Sequence, residues 1–196
     1  MEASSTPTIC RPPDSRRHQF WAIAHKRIIL TAVCSTLGSI NARGFAQAET
    51  VGRYECNVVG AVSQEPIGDK DGHRITGVQY SCSGVEGLVK GAVYSGSSIS
   101  EWDGPQGTYL SGGGTVRAAG GLAVTQITEG KGSAVMKDGK PAGSESSGKA
   151  LFKFASGTLA VLSGKMVRWE TKPMGFGLFS IEVTDDGETV AVRTSK

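Results

Sequence analysis

Apolar and polar residues alternate with a period of two along much of the chain after residue 48. In the segment Arg53–Val58, tyrosine, cysteine and valine take every second position, and arginine, glutamate and asparagine take the others. The segments Val78–Cys82 and Phe179–Val183 show the same alternation. Successive side chains of a β-strand point to opposite faces, whereas an amphipathic helix needs a period of 3.6. The pattern predicts strands with one apolar face and almost no helix.

Glycine content narrows the choice of β-architecture. Two of the 28 glycines precede residue 49, and the other 26 have no collagen-like period of three. So many glycines among alternating segments indicate tight turns and sharply coiled strands. About eight short antiparallel strands could form a closed barrel or a β-sandwich, and the glycines favour the barrel. We therefore predict a single all-β domain, an antiparallel barrel of about eight strands, over residues 49–196.

Turn signals separate the predicted strands. Asp138-Gly139 and Asp186-Gly187 each follow an alternating segment and predict two-residue hairpins, because a type I′ turn needs positive φ at both central residues. The polar segment Pro141–Gly148 is typical of a mobile loop. The apolar segment Thr158–Leu162 is interpreted as a further strand.

The first 48 residues differ in character from the rest. A basic segment runs to Arg27, an apolar stretch of 13 residues follows at Ile28–Ile40, and Ala46-Gln47-Ala48 has the small-x-small pattern of a cleavage site. The apolar stretch is too short for a membrane-spanning helix, which needs about 20 residues. This order predicts a cleavable signal peptide over residues 1–48, cut after Ala48. A buried N-terminal helix is the alternative.

The export route stays open between general secretion and twin-arginine export. Ser15-Arg16-Arg17 resembles the start of a twin-arginine signal, although the aromatic residue, Phe20, comes one position late. Cys34 is not expected to carry a lipid, because bulky Val33 precedes it. By either route, the domain is predicted to be periplasmic or secreted.

Cleavage would leave two of the four cysteines, Cys56 and Cys82, in similar Tyr-x-Cys contexts. A lone pair in an oxidising compartment usually forms a disulfide, so we predict one between them. A redox-active pair is the alternative, but the spacing is not Cys-x-x-Cys.

Charge argues against some partners. Residues 49–196 carry 15 Lys/Arg and 16 Asp/Glu, with no basic cluster. Such a domain lacks the basic surface with which proteins bind nucleic acid or an anionic membrane. No apolar segment after residue 48 approaches 18 residues, so stable membrane insertion is not expected either. A small apolar molecule is the predicted partner, and a homo-oligomer is compatible with the sequence.

Metal and nucleophile sites have little support. His73 is the only histidine after residue 48, so a zinc cluster or a serine triad lacks residues, and no metal or other cofactor is predicted. Asp69-Lys70-Asp71-Gly72 looks like the start of a calcium loop. Arg74 and Tyr80 then stand where that loop needs glycine and glutamate, so a polar turn is the simpler interpretation.

The remaining candidates are polar and aromatic residues on predicted strands. Arg168, Glu170 and Glu182 would be catalytic candidates if they faced an apolar lumen, where their pKa values would shift; otherwise they simply face solvent. The aromatic residues could line a pocket or fill the core. The ligand-binding candidates are Tyr54, Tyr80, Trp102, Tyr109 and Trp169.

A motif in residues 148–179 resembles the allene oxide cyclase and dirigent-like barrels. Gly148–Thr158 has alternating aromatics that lead into a Gly-Thr turn; a short apolar segment, Gly164-Lys165 and the strand-like Gly175–Phe179 follow. Leu159 and Val161 depart from the small residues usual there. The resemblance implies an eight-stranded barrel with an apolar lumen. It implies no particular activity, because no catalytic position of that family can be matched.

Three functions fit these observations. The first is an exported barrel that binds a small apolar ligand without catalysis. The second is an enzyme of the cyclase or isomerase type, which needs little more than a shaped apolar cavity and one or two polar groups. The third is a structural or interaction protein of the cell envelope, which predicts an exposed apolar patch in place of a cavity.

Overall fold

The structure is a computed structural model that describes residues 49–191. The predicted signal peptide, residues 1–48 with the cleavage site at Ala48, lies outside the described residues, as do residues 192–196. Residues 49–191 contain no helical segment with the length and hydrophobicity of a membrane span.

Nine antiparallel strands and one short 3₁₀ turn make up the described domain. The strands are β1 Thr50–Val58, β2 Ser63–Pro66, β3 His73–Gly87, β4 Val93–Asp103, β5 Gln106–Ala118, β6 Gly121–Lys137, β7 Lys140–Gly157, β8 Lys165–Gly175 and β9 Leu178–Thr189. The 3₁₀ turn, Ala160–Leu162, lies between β7 and β8.

Hydrogen bonding between the strands closes into a ring. Each strand from β3 to β9 pairs with the next, β9 pairs with β1, and β1 pairs back onto β3. Eight strands therefore form the ring, and β2 pairs only with the first part of β3. The predicted fold class, an all-β antiparallel barrel of about eight strands, is confirmed, and the sandwich alternative is excluded because two packed sheets would not close on themselves.

The predicted disulfide lies where the ring closes. Cys56 of β1 is directly opposite Cys82 of β3, and a disulfide joins them across a sequence separation of 26 residues. Strand pairing places the two Cα atoms 3.9 Å apart, close enough for a bridge.

Alternation along the strands sorts the side chains between the interior and the surface. On β1, Tyr54 and Cys56 are buried and Glu55 is exposed. On β8, Trp169 is buried between two exposed neighbours. The period of two thus gives the barrel an apolar interior, as predicted.

Only one of the two predicted Asp-Gly hairpins forms. Asp138 and Gly139, with φ of 52° and 73°, join Lys137 of β6 to Lys140 of β7. The hairpin prediction for Asp186-Gly187 is wrong, because that pair lies in an irregular register of β9 opposite β8.

Ion pairs surround the irregular part of β9. The Asp186 carboxylate contacts Lys149 of β7, at 2.8 Å, and Arg168 of β8, so it bridges two neighbouring strands. Asp185 pairs with Lys165 of β8 and accepts a hydrogen bond of 2.9 Å from the Gly187 amide. Both carboxylates have pKa values below the ordinary range, mainly because of their hydrogen bonds to these cations.

Two further sequence interpretations are corrected. Pro141–Gly148 is not a loop but the first half of β7, paired with β6. Thr158–Leu162 is not a strand but a turn that includes the 3₁₀ segment. Leu159 and Leu162 are fully buried in that turn, which explains the apolar composition of the segment.

The two ends of the barrel differ. At one end, the segment between β3 and β4 buries Val89, and the turn between β7 and β8 buries Leu159 and Leu162. The opposite end carries the turns between β4 and β5, β6 and β7, and β8 and β9. We call the first the closed end and the second the open end.

Candidate functional site

A cavity of about 850 Å³ occupies the interior of the barrel. Its lining includes residues of the open end, among them Val62, Pro141 and Phe176, but not the residues that fill the closed end. The barrel is thus a cup, closed at one end by apolar side chains and accessible from the other. Its size is within the range of small-molecule sites, about 300–1,000 Å³.

Apolar side chains make up most of the wall. They come from every strand of the ring, so the apolar face of each alternating segment contributes to one enclosed surface. Aliphatic and aromatic lining residues include Val78, Val116, Ile127, Phe152, Val167 and Ile181.

All five aromatic ligand-binding candidates line this cavity: Tyr54, Tyr80, Trp102, Tyr109 and Trp169. Tyr94, which the sequence also suggested as a pocket residue, lines the cavity with them. The Tyr94 ring lies 5.6 Å from those of both Tyr54 and Tyr80, measured between centroids. Tyr109 packs edge-on against Trp169 at 5.1 Å. Tyr54, Tyr80 and Tyr94 thus form one packed group, and Tyr109 and Trp169 form another.

Hydroxyl groups form hydrogen-bonded pairs within the lining. Tyr80 and Tyr94 are joined through their hydroxyls at 3.3 Å, and Tyr94 continues to Thr125 Oγ1 at 3.1 Å. Tyr109 donates to Ser146 Oγ at 3.1 Å. These bonds fix several phenol rings in orientation.

Serine and threonine side chains on inward positions were missed by the sequence reasoning. Ser98, Ser100 and Ser146 are buried, line the cavity and occupy every-second positions of β4 and β7. Ser100 accepts a hydrogen bond of 2.9 Å from Trp102 Nε1. A search for apolar alternation overlooks such positions; their two-residue spacing was the only available signal.

Three polar atoms of lining residues are buried without a hydrogen-bond partner. They are the Tyr54 hydroxyl on β1, Thr76 Oγ1 on β3 and Trp169 Nε1 on β8. Each belongs to a side chain that is more than nine-tenths buried. An unpaired buried polar group costs about 1–3 kcal/mol. These atoms have almost no accessible surface, so a polar group of a bound molecule would meet them only after a small shift of the side chain toward the lumen.

Burial also sets the protonation state of the phenols. It raises the pKa of the Tyr54, Tyr80 and Tyr109 hydroxyls above their ordinary value. Tyrosine is already neutral at pH 7, and the shift keeps these groups neutral further into the alkaline range. They can donate hydrogen bonds, but they are poor bases.

Only one charged side chain lines the cavity within residues 49–191, that of Arg74. Its guanidinium lies 5.7 Å from the Trp102 ring centroid and donates to the Gly72 carbonyl at 3.1 Å. Arg74 is the second residue of β3 and pairs with Pro66 of β2, near the open end.

The three charged catalytic candidates lie elsewhere. Arg168, Glu170 and Glu182 are exposed and do not line the cavity, because their strands turn Val167, Trp169, Ile181 and Val183 inward. Arg168 is engaged with Asp186 on the outer face. The hypothesis that one of them acts from within the lumen is therefore corrected.

His73, at the start of β3, is held between two carboxylates. Its Nδ1 lies 2.6 Å from Asp69 Oδ1 and its Nε2 lies 2.8 Å from Glu101 Oε1. The hydrogen bond to Glu101, followed by that to Asp69, raises the pKa of the imidazole. The neighbouring Lys70 bonds to Asp103 at 2.6 Å. These contacts fasten the loop between β2 and β3 to β4.

The described part of the chain contains no group of three His, Cys, Asp or Glu residues placed to hold a metal ion. In the segment that looks like the start of a calcium loop, Asp69 contacts His73, and Lys70 donates a hydrogen bond to Asp103.

No family model, curated protein or solved structure matches the chain, so the resemblance to allene oxide cyclase and dirigent-like barrels remains a prediction from the motif in residues 148–179.

Proposed function

We propose that this protein binds a small, largely apolar molecule inside the barrel and does no chemistry on it. The observation that carries the proposal is the cavity of about 850 Å³, enclosed by the ring of strands, accessible from one end and mainly apolar. Transfer of apolar surface from water into such a site is favourable by about 25 cal/mol per Å². A lumen of this size leaves space that the protein's own side chains do not fill.

The chemistry of the wall favours binding over catalysis. Within residues 49–191, the lining contains no carboxylate, histidine, lysine or cysteine. General acid–base catalysis needs a group with a pKa near the working pH, and the buried phenols are shifted away from it.

An enzyme of the cyclase or isomerase type is the second candidate. It is favoured by the hydrogen-bonded chain of Tyr80, Tyr94 and Thr125, which could orient a substrate held in a reactive conformation. The third hypothesis, a structural or interaction protein of the cell envelope, predicted no cavity and is less favoured for that reason.

The proposed location is the periplasm or the extracellular space. The Cys56–Cys82 disulfide is consistent with an oxidising compartment. The signal sequence proposed for residues 1–48 would provide the route. N-terminal sequencing of the protein from its own host is expected to begin at Glu49; a mature protein that retains Met1 would contradict the export proposal.

Native mass spectrometry tests binding directly. Protein purified from its host is expected to carry an additional mass that is lost on denaturation. The purified protein should also bind N-phenyl-1-naphthylamine, an uncharged fluorescent probe of apolar sites, with an increase in fluorescence. Absence of both a retained ligand and probe binding would contradict the proposal.

A pair of variants on β7 locates the site. Ala150 lines the cavity, whereas Lys153 on the same strand is exposed. Ala150→Trp fills part of the lumen and is expected to weaken probe binding at least about tenfold, since about 1.4 kcal/mol corresponds to that factor. Lys153→Trp adds the same indole outside and should leave binding unchanged. Equal affinity in the two variants would place the probe outside the barrel.

A further inference from the structure

We infer that the molecule held in the lumen is uncharged and carries hydrogen-bond acceptor oxygens, such as those of a ketone, ester or ether, on an apolar framework. This inference rests on the proposed binding function and deepens it. It is carried by the unpaired polar atoms of the wall and by the near absence of charge around them.

The first step concerns charge. Arg74 is the only ionic side chain among the lining residues of the described domain, and it is already in contact with Trp102 and Gly72 near the open end. A carboxylate or an ammonium group deeper in the cup would lose its hydration without an opposite charge to replace it. Such burial is unfavourable by several kcal/mol per ion. The buried part of the ligand is therefore neutral.

The second step concerns the type of polar group. Trp169 Nε1 can only donate a hydrogen bond, and it has no acceptor. The Tyr54 hydroxyl also has no partner, and burial keeps it protonated and able to donate. A ligand donor could not satisfy the indole N–H, whereas a ligand oxygen with two lone pairs can satisfy either group.

The third step concerns where the donors lie. Tyr54 is on β1 and Trp169 is on β8, two strands that both pair with β9. Thr76, the third unpaired group, is on β3 and can donate or accept. Several other hydroxyls of the wall are already engaged, such as Tyr109 with Ser146. Unpaired donors therefore remain just behind the wall at separate points. With a small shift of these side chains toward the lumen, acceptor oxygens at different positions of one ligand would complement them.

A matched set of probes tests the inference. 2-Nonanone, nonane and nonanoate share a nine-carbon framework but carry a neutral acceptor, no polar group and a negative charge. Their affinities are measured by displacement of bound N-phenyl-1-naphthylamine. We expect 2-nonanone to bind about tenfold more tightly than nonane, the factor that corresponds to one net hydrogen bond of about 1–1.5 kcal/mol. Nonanoate should also bind more weakly than 2-nonanone, because its charge would be buried without an opposite charge.

Variants link this preference to the named groups. Trp169→Phe and Tyr54→Phe remove the unpaired N–H and O–H and keep an aromatic ring. We expect at least one of them to reduce the advantage of 2-nonanone over nonane to about twofold or less, while nonane itself binds as before. Glu170→Gln, next to Trp169 but on the outer face, is the matched control and should keep the full preference. Tyr54→Phe loses only an unsatisfied polar atom and should fold as wild type does. Trp169→Phe also removes part of a buried indole, so its folding is checked by circular dichroism before binding is compared.

The outcomes distinguish failure of the acceptor-oxygen preference from failure of ligand binding in the lumen. If nonane or nonanoate binds as tightly as 2-nonanone, the inference about acceptor oxygens is overturned while binding in the lumen stands. The same holds if the preference persists in both lumen variants. If the fluorescent probe does not bind at all, the proposed function fails, and the inference fails with it.

Discussion

Cys56 and Cys82 face each other across β1 and β3, the pairing that closes the ring, and their disulfide fixes that seam covalently. The bridge therefore joins the first strand of the described barrel to β3, and β2 lies between these two strands in the sequence. Its position makes the stability of the closed ring sensitive to the redox environment.

Replacing both cysteines by serine is expected to lower the free energy of unfolding by about 3 kcal/mol, because the unfolded chain regains the freedom of a loop of 26 residues. Urea denaturation of the variant and of wild type, with and without reductant, measures the difference. Reductant should lower the midpoint of wild type only. A variant as stable as oxidised wild type would show that the bridge does not stabilise the barrel.

Gly84 leaves room for the segment that covers the closed end. A Cβ atom at position 84 would overlap the carbonyl of Val89, which is backbone and cannot rotate away. Gly84→Ala is expected to cost about 3 kcal/mol of stability. Gly177→Ala meets no neighbouring atom within 4 Å, and only its positive φ of 69° is unfavourable, at about 1 kcal/mol. Thermal denaturation of both variants should rank them in this order; the opposite order would contradict the packing argument.

Leu159 closes the cup from the turn between β7 and β8, where it is 1% exposed. Leu159→Ala is expected to destabilise the protein by about 2–5 kcal/mol, since it leaves a cavity in a packed region. Val161, two residues further on, is 56% exposed, and Val161→Ala should change stability by less than about 0.5 kcal/mol. Chemical denaturation compares the two, and similar losses would show that this turn does not seal the barrel.

The contact of His73 with Asp69 and Glu101 makes the loop between β2 and β3 dependent on pH. The folded-state pKa of His73 is raised above 6.5, so its stabilising contribution is complete below that pH and is lost as the pH rises through the folded-state value. The pKa of Asp69 is lowered from 3.8, so its contribution is lost in acid instead. The contact is therefore strongest in mildly acidic solution.

The variant His73→Gln tests this dependence. Wild type should be more stable than the variant at pH 5.5, and the difference should shrink by pH 9, as followed by urea midpoints at both values. Arg117→Gln, on the outer face of β5, serves as a control that should show no such trend. A difference between wild type and His73→Gln that does not vary with pH would contradict the protonated contact.

Three of the four tyrosines should resist ionisation while the barrel is folded. Burial raises the pKa of Tyr54, Tyr80 and Tyr109, so the neutral phenol is favoured, and ionisation in strong alkali will favour unfolding. Absorbance at 295 nm during an alkaline titration is expected to rise together with the loss of the β-sheet circular dichroism signal. Phenolate formation well before unfolding would contradict the buried environment of these rings.

Sequence reasoning was most successful where a strand has an apolar inner face. Tyr54 and Cys56, for example, are buried on alternate positions of β1, as the period of two predicts. It failed at Pro141–Gly148 because Ser144 and Ser146 line the cavity, so inward positions there are polar and the strand looks like a loop. It failed at Asp186-Gly187 because the decisive contacts, with Lys149 and Arg168, come from strands distant in sequence.

The candidate site was predictable in outline only. The aromatic residues were identified because their size suits a lining, and alternation assigned most of them to inward positions. The buried serines and the unpaired state of Tyr54 and Trp169 depend on which side chains meet across the lumen. That information is three-dimensional, and periodicity along one strand does not contain it.

The partner of β3 changes along its length from β2 to β1, and we expect the part of the rim formed by β2 to be the less rigid one. β1 pairs with β3 from Tyr80 to Gly87, whereas Arg74–Gly77 pair with β2, whose other edge has no strand partner among residues 49–191. Displacement of β2 to admit a bulky ligand would break only its own pairing with β3, and the β1–β3 hydrogen bonds and the Cys56–Cys82 disulfide would stay intact. A ligand would then enter and leave through local movement of the open end, while the closed end keeps its structure.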